Sequence, residues 1–424
     1  MFSNGLSLEQ SPPLKASMPF FLTAPIFLLI ASILYLFNDL DLLDRWLPSS
    51  VGIVHFFNLG FLTMVIMGAL TQMLPVLAGV TIPNVLGVSR LVYFLITLGS
   101  LLFPLGMIYM NLTMIQIGAL SAWSAIFIFF SVALYALQKG IPSFTLTIFK
   151  LSSLSALITL IWAGRLAWAW AGVGEFSVYR IPMIELHIAW AVFGMVFILV
   201  MGVSYKVVPM FYVTPDHPRW LTHYAAKIIF SLLLLWTLIF QTYLFEKFVW
   251  LQSLIPIIKM GISIVVITFS IETIRRLNNR KRPIVDTSII YWKLSMTLFT
   301  LGAFLYALSQ FITESDKISI FASASFGIAL LSLISGMLYK IIPFLVWFHL
   351  NAQGKNPPMM RELLPDRLTR KQLYLHFGVI LFLGISILFP GLKFIFILFI
   401  TCSLVSNLYL LSIPLRIYRR TIMA

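Results

Sequence analysis

Apolar runs of 18 or more residues recur from one end of this chain to the other, and each is long enough to cross roughly 30 Å of hydrocarbon as a helix. No other sequence feature constrains the fold so strongly, because only helices and closed barrels satisfy their backbone inside a bilayer. Twelve spans are predicted, at roughly 18–37, 52–80, 90–110, 112–137, 145–172, 183–211, 222–245, 249–275, 288–312, 320–348, 373–392 and 394–416. Charged residues make up 10% of the 424 positions and hydrophobic ones 60%, whereas soluble domains carry about a quarter charged. A water-soluble enzyme is excluded, and an all-α integral membrane protein, a single membrane domain over 1–424, is expected. The segment before Met18 is too polar for a signal peptide, and an acidic loop rather than a small-residue cleavage site follows the first span, so that span is expected to stay. Cys402, alone of its kind and inside an apolar run, excludes an intrachain disulfide, a CxxC pair and a Cys-based zinc site.

The net charge of +15 is read from its placement. Alternate loops carry Lys15, Arg90, Lys139, Arg219, Lys227, Arg275, Arg276, Arg280, Lys281, Arg282, Lys355, Arg361, Arg367, Arg370, Lys371, Arg416, Arg419 and Arg420. The intervening loops carry Asp39, Asp41, Asp44, Glu175, Glu246, Glu314 and Asp316. Excess Lys and Arg marks the cytoplasmic side, so both termini are expected there, in keeping with an even number of spans. The basic loops read as topogenic, with an anionic-lipid site as the alternative; the lipid bilayer is the expected partner and nucleic acid is not.

Spans 2, 6 and 10 share a pattern. Their ends read Gly68-Ala-Leu-Thr71-Gln72-Met-Leu-Pro75, Gly202-Val-Ser-Tyr205-Lys206-Val-Val-Pro209 and Gly336-Met-Leu-Tyr339-Lys340-Ile-Ile-Pro343, with upstream glycines at Gly60, Gly194 and Gly327. Three copies at a four-span interval predict pseudo-repeats over 18–137, 145–275 and 288–416. Small residues let helix backbones approach closely, and a proline near a helix end frees a carbonyl. Gln72, Lys206 and Lys340, with Tyr205 and Tyr339 beside the lysines, either reach the surface or line a passage between the three spans broken at their prolines.

His55 and His187 begin spans 2 and 6, 13 residues before Gly68 (68 − 55) and 15 before Gly202 (202 − 187), at nearly equivalent places. Ionisable groups inside spans are costly and functional by default; Arg165 in span 5, Glu185 two residues before His187, and Lys259 in span 8 are the others at that depth. Two histidines, a carboxylate and two cations could ligate copper or haem iron while the cations hold propionate or other anionic groups. The alternative is an Arg165–Glu185 ion pair with the histidines hydrogen-bonded to neighbouring helices. His217, His223, His349 and His376 fall at or near the basic ends, and Met64, Met67 and Met73 read as gap-filling rather than copper handling. No nucleotide-binding, zinc-protease or serine-hydrolase motif occurs in a plausible context.

Twelve spans, both termini inside, the threefold repeat and histidines at the outer ends of spans 2 and 6 resemble subunit I of the haem–copper oxidases. The stretch from His55-Phe-Phe-Asn-Leu-Gly60 through Gln72-Met-Leu-Pro75 to Gly79 is also similar to the NnrS family of haem- and copper-associated bacterial membrane proteins linked to nitric oxide stress. The resemblance implies three four-helix arcs in a bacterial inner membrane, His55 in the place of a span-2 haem ligand and His187 in that of a copper ligand. It implies a respiratory-chain or other redox partner as well. The chain departs from the oxidase pattern in span 10, where Phe321 to Ser325 hold no histidine, in span 7, whose histidine is His223 near the basic end, and at Ala191, where a tyrosine belongs. A complete oxygen-reducing centre is therefore not expected. What remains is a haem or copper protein; the alternatives are a transporter with its passage between spans 2, 6 and 10, and a cofactor-free assembly or scaffold subunit, with which the missing histidines are equally compatible. The stretch from His349 to Gln372 is expected to be a loop.

Overall fold

A computed structural model describes residues 12–38, 44, 46–173, 179–245, 248–281, 286–312 and 316–423. Asp39, Asp41, Glu175, Glu246, Arg282 and Glu314 lie outside the described residues. Among those described, twelve helices are long and apolar enough to cross a membrane: α1 (Leu14–Phe37), α2 (Pro48–Ala78), α3 (Val85–Tyr109), α4 (Leu112–Gln138), α5 (Phe144–Trp170), α6 (Arg180–Tyr212), α7 (Arg219–Thr242), α8 (Trp250–Asn278), α9 (Thr287–Leu308), α10 (Asp316–Ala352), α11 (Asp366–Leu388) and α12 (Pro390–Met423). The protein is a multi-pass helical membrane protein. Helix starts follow side-chain caps where the sequence supplies them: Asn111 accepts from Met114 N, Ser143 from Leu146 N and Asp286 from Ile289 N, each satisfying a donor the first turn leaves open.

Two boundaries move from the expected ones. Helix α11 begins at Asp366, seven residues before the apolar run, and α10 runs on to Ala352. The stretch after His349 is thus mostly helix, with a single turn at Met360–Leu363 between α10 and α11. Hydropathy misplaces the start of α11 because Thr369 and Gln372 are polar yet buried at 4% and 1% exposure. The prolines do not break their helices either. Pro75, Pro209 and Pro343 all lie inside helical segments, and the carbonyl each frees, four residues earlier, belongs to Thr71, Tyr205 or Tyr339 of the repeated motif itself. Helix α2 ends four residues after its proline instead, at Gly79 in the left-handed region (φ 65°), whose N–H bonds to the Pro75 carbonyl.

Helices pack on their chain neighbours and beyond: α1 on α2, α2 on α3, α3 on α4, α4 on α5, α5 on α6 and α7, α6 on α7 and α8, α7 on α8, and α8 on α9. The series continues with α9 on α10, α10 on α11 and α12, α11 on α12, and closes with α12 on α1. Within this ring α2 and α6 are the most enclosed, 61% and 67% of their apolar windows being buried against 28% for α11. The motif glycines explain the closeness. A Cβ built on Gly68 falls 2.9 Å from Phe20 Cβ, on Gly202 2.6 Å from Ile148 Cγ2, and on Gly336 2.5 Å from Tyr291 Cβ, so each glycine receives the helix that opens its own pseudo-repeat.

Candidate functional site

Helices α2 and α6 both change hydrogen-bonding pattern midway. Phe56–Thr63 and Trp190–Phe197 are π-helical, and the two segments are in register with the repeat, since 56 + 134 = 190 and 68 + 134 = 202. In the first, Thr63 Oγ1 donates to the Asn58 carbonyl five residues back, at 2.7 Å, which supports the wider turn. Phe56 and Trp190 open the two segments and are both fully buried. Helix α10 has no such interruption over its 37 residues. Single π turns inside α-helices recur at functional sites because they displace a side chain from its regular place.

His55 is the last α-helical residue before the first π segment, and His187 lies three before the second. By the repeat the partner of His55 is Ala189, so the two histidines are two residues out of register, roughly 200° around a helix. Both stand in the opening turns of their helices, ahead of the π segments. His55 Nδ1 lies 2.7 Å from the Val51 carbonyl and donates to it, leaving the lone pair on Nε2; its ring stands edge-on to Phe103 at 5.1 Å. The Nδ1 of His187 is buried without a partner. A histidine whose tautomer is fixed by a backbone carbonyl, as His55 is by Val51, is in the form that metal-ligating histidines adopt.

No group of three or more His, Cys, Asp or Glu side chains converges among the described residues. The buried, unpartnered Nδ1 of His187 and the open Nε2 of His55 are the imidazole nitrogens these two helices offer to a metal centre. Haem iron with axial histidines and copper with imidazole ligands are such centres.

The intramembrane charges sort differently from the Arg165–Glu185 expectation. Glu185 pairs with Lys259 at 3.1 Å, and Arg165 is exposed on α5 with no ion pair among the described residues. Its place five residues before the end of α5 at Trp170 lets a long side chain reach the boundary. Lys259 is enclosed by aromatic faces, 5.2 Å from the Trp236 ring and 5.9 Å from Tyr306, and Tyr306 lies in the field of Glu185. Glu185 is two residues from His187 and thus points to another side of α6, towards α8 and α9. The ion pair thus joins α6 to α8 on another side of α6 from His187.

The residues considered for a passage engage local partners. Gln72 is buried and donates to Ser17 Oγ (2.9 Å) at the start of α1, Lys206 is exposed with its ammonium over Phe144 at the start of α5 (5.1 Å), and Lys340 pairs with Asp286 at the start of α9. In all three repeats the residue after Thr or Tyr clamps the beginning of the first helix of its own unit. Tyr205 Oη donates to the Leu221 carbonyl, and Tyr339 stands edge-on to Tyr291.

Two groups were not legible as a set in the sequence. His217, between α6 and α7, is buried, hydrogen-bonded through Nε2 to Thr273 Oγ1 (3.1 Å), stacked on Phe269 and edge-on to Tyr205. Burial first, then the nearby Arg276 guanidinium, push its pKa down to about 4, so it is neutral and packs as an aromatic. The second group is the polar series Asp366, Thr369, Gln372 and His376 on α11, spaced three, three and four residues apart. That spacing puts it on one helix face, a signal the apolar-run reading passed over.

Fold and site together define a helical membrane protein with twelve candidate spans among the described residues and a histidine ahead of the π segment on each of α2 and α6. The sequence matches no protein-family model and no curated protein.

Proposed function

We propose that this chain is a bacterial inner-membrane protein of haem–copper-oxidase-like architecture, with both termini cytoplasmic, that binds haem or copper through His55 and His187 on its periplasmic side. Its role lies in respiration, nitric oxide stress or metal homeostasis, and a redox or respiratory-chain protein is the corresponding partner. The observation that carries this is His55 on α2, held by the Val51 carbonyl with Nε2 left open, together with the buried, unpartnered Nδ1 of His187 on α6. The packing order supports the arcs: within α1–α4, α5–α8 and α9–α12 each helix packs on the next, and α4–α5, α8–α9 and α12–α1 form the three joints.

Bound there, such a group would supply one-electron chemistry or reversible binding of a diatomic gas. The protein's own residues hold and shield it. Val51 orients the His55 imidazole and Phe103 packs on it. Without histidines at 321–325, the chain lacks the ligand set for oxygen reduction at a paired haem–copper centre.

Oxidised and dithionite-reduced optical spectra of the purified protein, with metal content by mass spectrometry on the same sample, test the reading. A stoichiometric Soret band or one bound copper is expected, lost in both His55→Ala and His187→Ala. A folded protein that stays colourless and metal-free after supplementation with haem and copper would overturn it.

A further inference from the structure

Six helices start at the basic end of the bundle: α1, α3, α5, α7, α9 and α11. Five of them carry one cation in the second or third turn, five to eight residues after the first: Arg90 on α3, Lys150 on α5, Lys227 on α7, Lys293 on α9 and Lys371 on α11. The same stretch of the six helices that start at the other end, 53–56, 117–120, 185–188, 255–258, 321–324 and 395–398, holds no lysine or arginine. In α5 and α9 the surroundings repeat as well, reading Phe149-Lys150-Leu151-Ser152 and Trp292-Lys293-Leu294-Ser295. Each of those lysines comes two positions after the residue that receives a motif glycine, Ile148 or Tyr291.

These cations lie on outward faces. Three turns beyond Lys150, Lys227 and Lys293 stand Ile161, Leu238 and Phe304, which are 61%, 67% and 55% exposed, so each lysine shares the apolar, outward stripe of its helix. Arg90 and Lys371 are themselves exposed, as are Phe94 and Tyr374 about a turn later. Lys150 also lies four turns before Gly164, whose Cβ would come 3.5 Å from Trp123 Nε1, which puts it beside the joint of α4 and α5.

Their charge is not answered inside the protein. Helices α3, α5, α7 and α9 contain no Asp or Glu. None of the five cations forms an ion pair among the described residues, although Arg275, Arg276, Lys340 and Arg370 at the same end each do. Lys227 rests over the Tyr224 ring at 6.0 Å. Five to eight residues are about 8–12 Å of helix, a depth at which unpaired charge facing lipid is costly. A helical Cβ leans towards the N-terminus, here the basic end, so a long side chain reaching out along its helix delivers its charge among the headgroups. Orientation in the membrane is set by cations in the connections, and it does not call for these five inside the helices.

We propose that Arg90, Lys150, Lys227, Lys293 and Lys371 form a girdle that binds the phosphates of anionic phospholipids in the leaflet at the basic end of the bundle. A phosphodiester whose headgroup bears no amine carries a net negative charge and pairs with the girdle alone. In a zwitterionic lipid the headgroup's own ammonium competes for the same phosphate. Anionic lipids attract basic side chains beside a membrane helix, and these five have no carboxylate partner to set against that attraction. The girdle involves neither His55 nor His187 and acts whichever side of the membrane the basic end faces, so it stands or falls separately from the proposed function.

The test is electron paramagnetic resonance of spin-labelled phosphatidylglycerol and phosphatidylcholine, each added to the purified protein in phosphatidylcholine vesicles, which reads the fraction of label immobilised at the protein surface. The native protein is expected to prefer phosphatidylglycerol, by about fivefold at a site where one cation faces the lipid. Lys150→Met with Lys293→Met removes two of the five cations and should lower that preference. Lys355→Gln with Arg361→Gln removes equal charge from the connection between α10 and α11 and should leave it unchanged. Methionine suits a lipid-facing position, and should the double variant aggregate, Lys150→Met alone carries the comparison. Equal immobilisation of the two lipids by the native protein overturns the proposal, as does an unchanged preference in the lysine-to-methionine variant or an equal loss in the Lys355 and Arg361 variant.

Discussion

Between Glu185 and Lys259 burial is shared unequally: the lysine side chain is 9% exposed and the glutamate 42%. Removing one partner of a buried pair strands the other charge, and the cost follows how far the survivor is from water. Glu185→Gln leaves an enclosed ammonium and is expected to destabilise by about 3 kcal/mol, whereas Lys259→Met leaves a carboxylate that water already reaches and costs about 1 kcal/mol. Thermal unfolding in detergent should place the Glu185→Gln transition clearly below that of Lys259→Met; equal or inverted shifts would refute the asymmetry. The identity of these two residues as rare intramembrane charges was plain in the sequence. Their pairing was not, because Arg165 and Lys259 were equally available cations until the helices were assembled.

On the scale of single helices, the repeated motif of α2, α6 and α10 is a packing and clamping device. Its first glycine receives the opening helix of the unit, its Gln or Lys holds the start of that helix, and its proline frees the carbonyl of the motif's own Thr or Tyr. The two glycines of α10 differ in a way that the motif alone does not reveal. A Cβ on Gly336 would lie 2.5 Å from the Tyr291 Cβ, while one on Gly327 meets nothing within 4 Å. Gly336→Ala therefore forces α9 and α10 apart and is expected to cost about 1–3 kcal/mol. Gly327→Ala only raises helix propensity and should be neutral or stabilising by up to about 1 kcal/mol. Melting curves of the two variants should separate in that order, and a Gly336→Ala protein as stable as the native one would remove the close-approach account.

At the scale of the whole molecule, sidedness follows from charge. The basic ends carry Arg275, Arg276, Arg280, Arg416, Arg419 and Arg420, and translocating such clusters is unfavourable. A fluorescent protein fused after residue 424 is expected to fluoresce, and alkaline phosphatase fused there to be inactive but active when inserted between α9 and α10. The reverse pattern would invert the topology and place His55 and His187 on the cytoplasmic side.

The sequence by itself determined the helical class, the twelve spans and the three copies of the motif, because hydrocarbon thickness and backbone hydrogen bonding leave a chain this apolar few alternatives. It located the start of α11 poorly, since Thr369 and Gln372 look like loop residues until neighbouring helices enclose them. Only the tertiary structure decided that Lys259 rather than Arg165 answers Glu185 and that the lysines of the motif clamp helix starts. Those are contacts between residues 54 to 74 positions apart, and periodicity along one helix carries no information about which face of a distant helix it will meet.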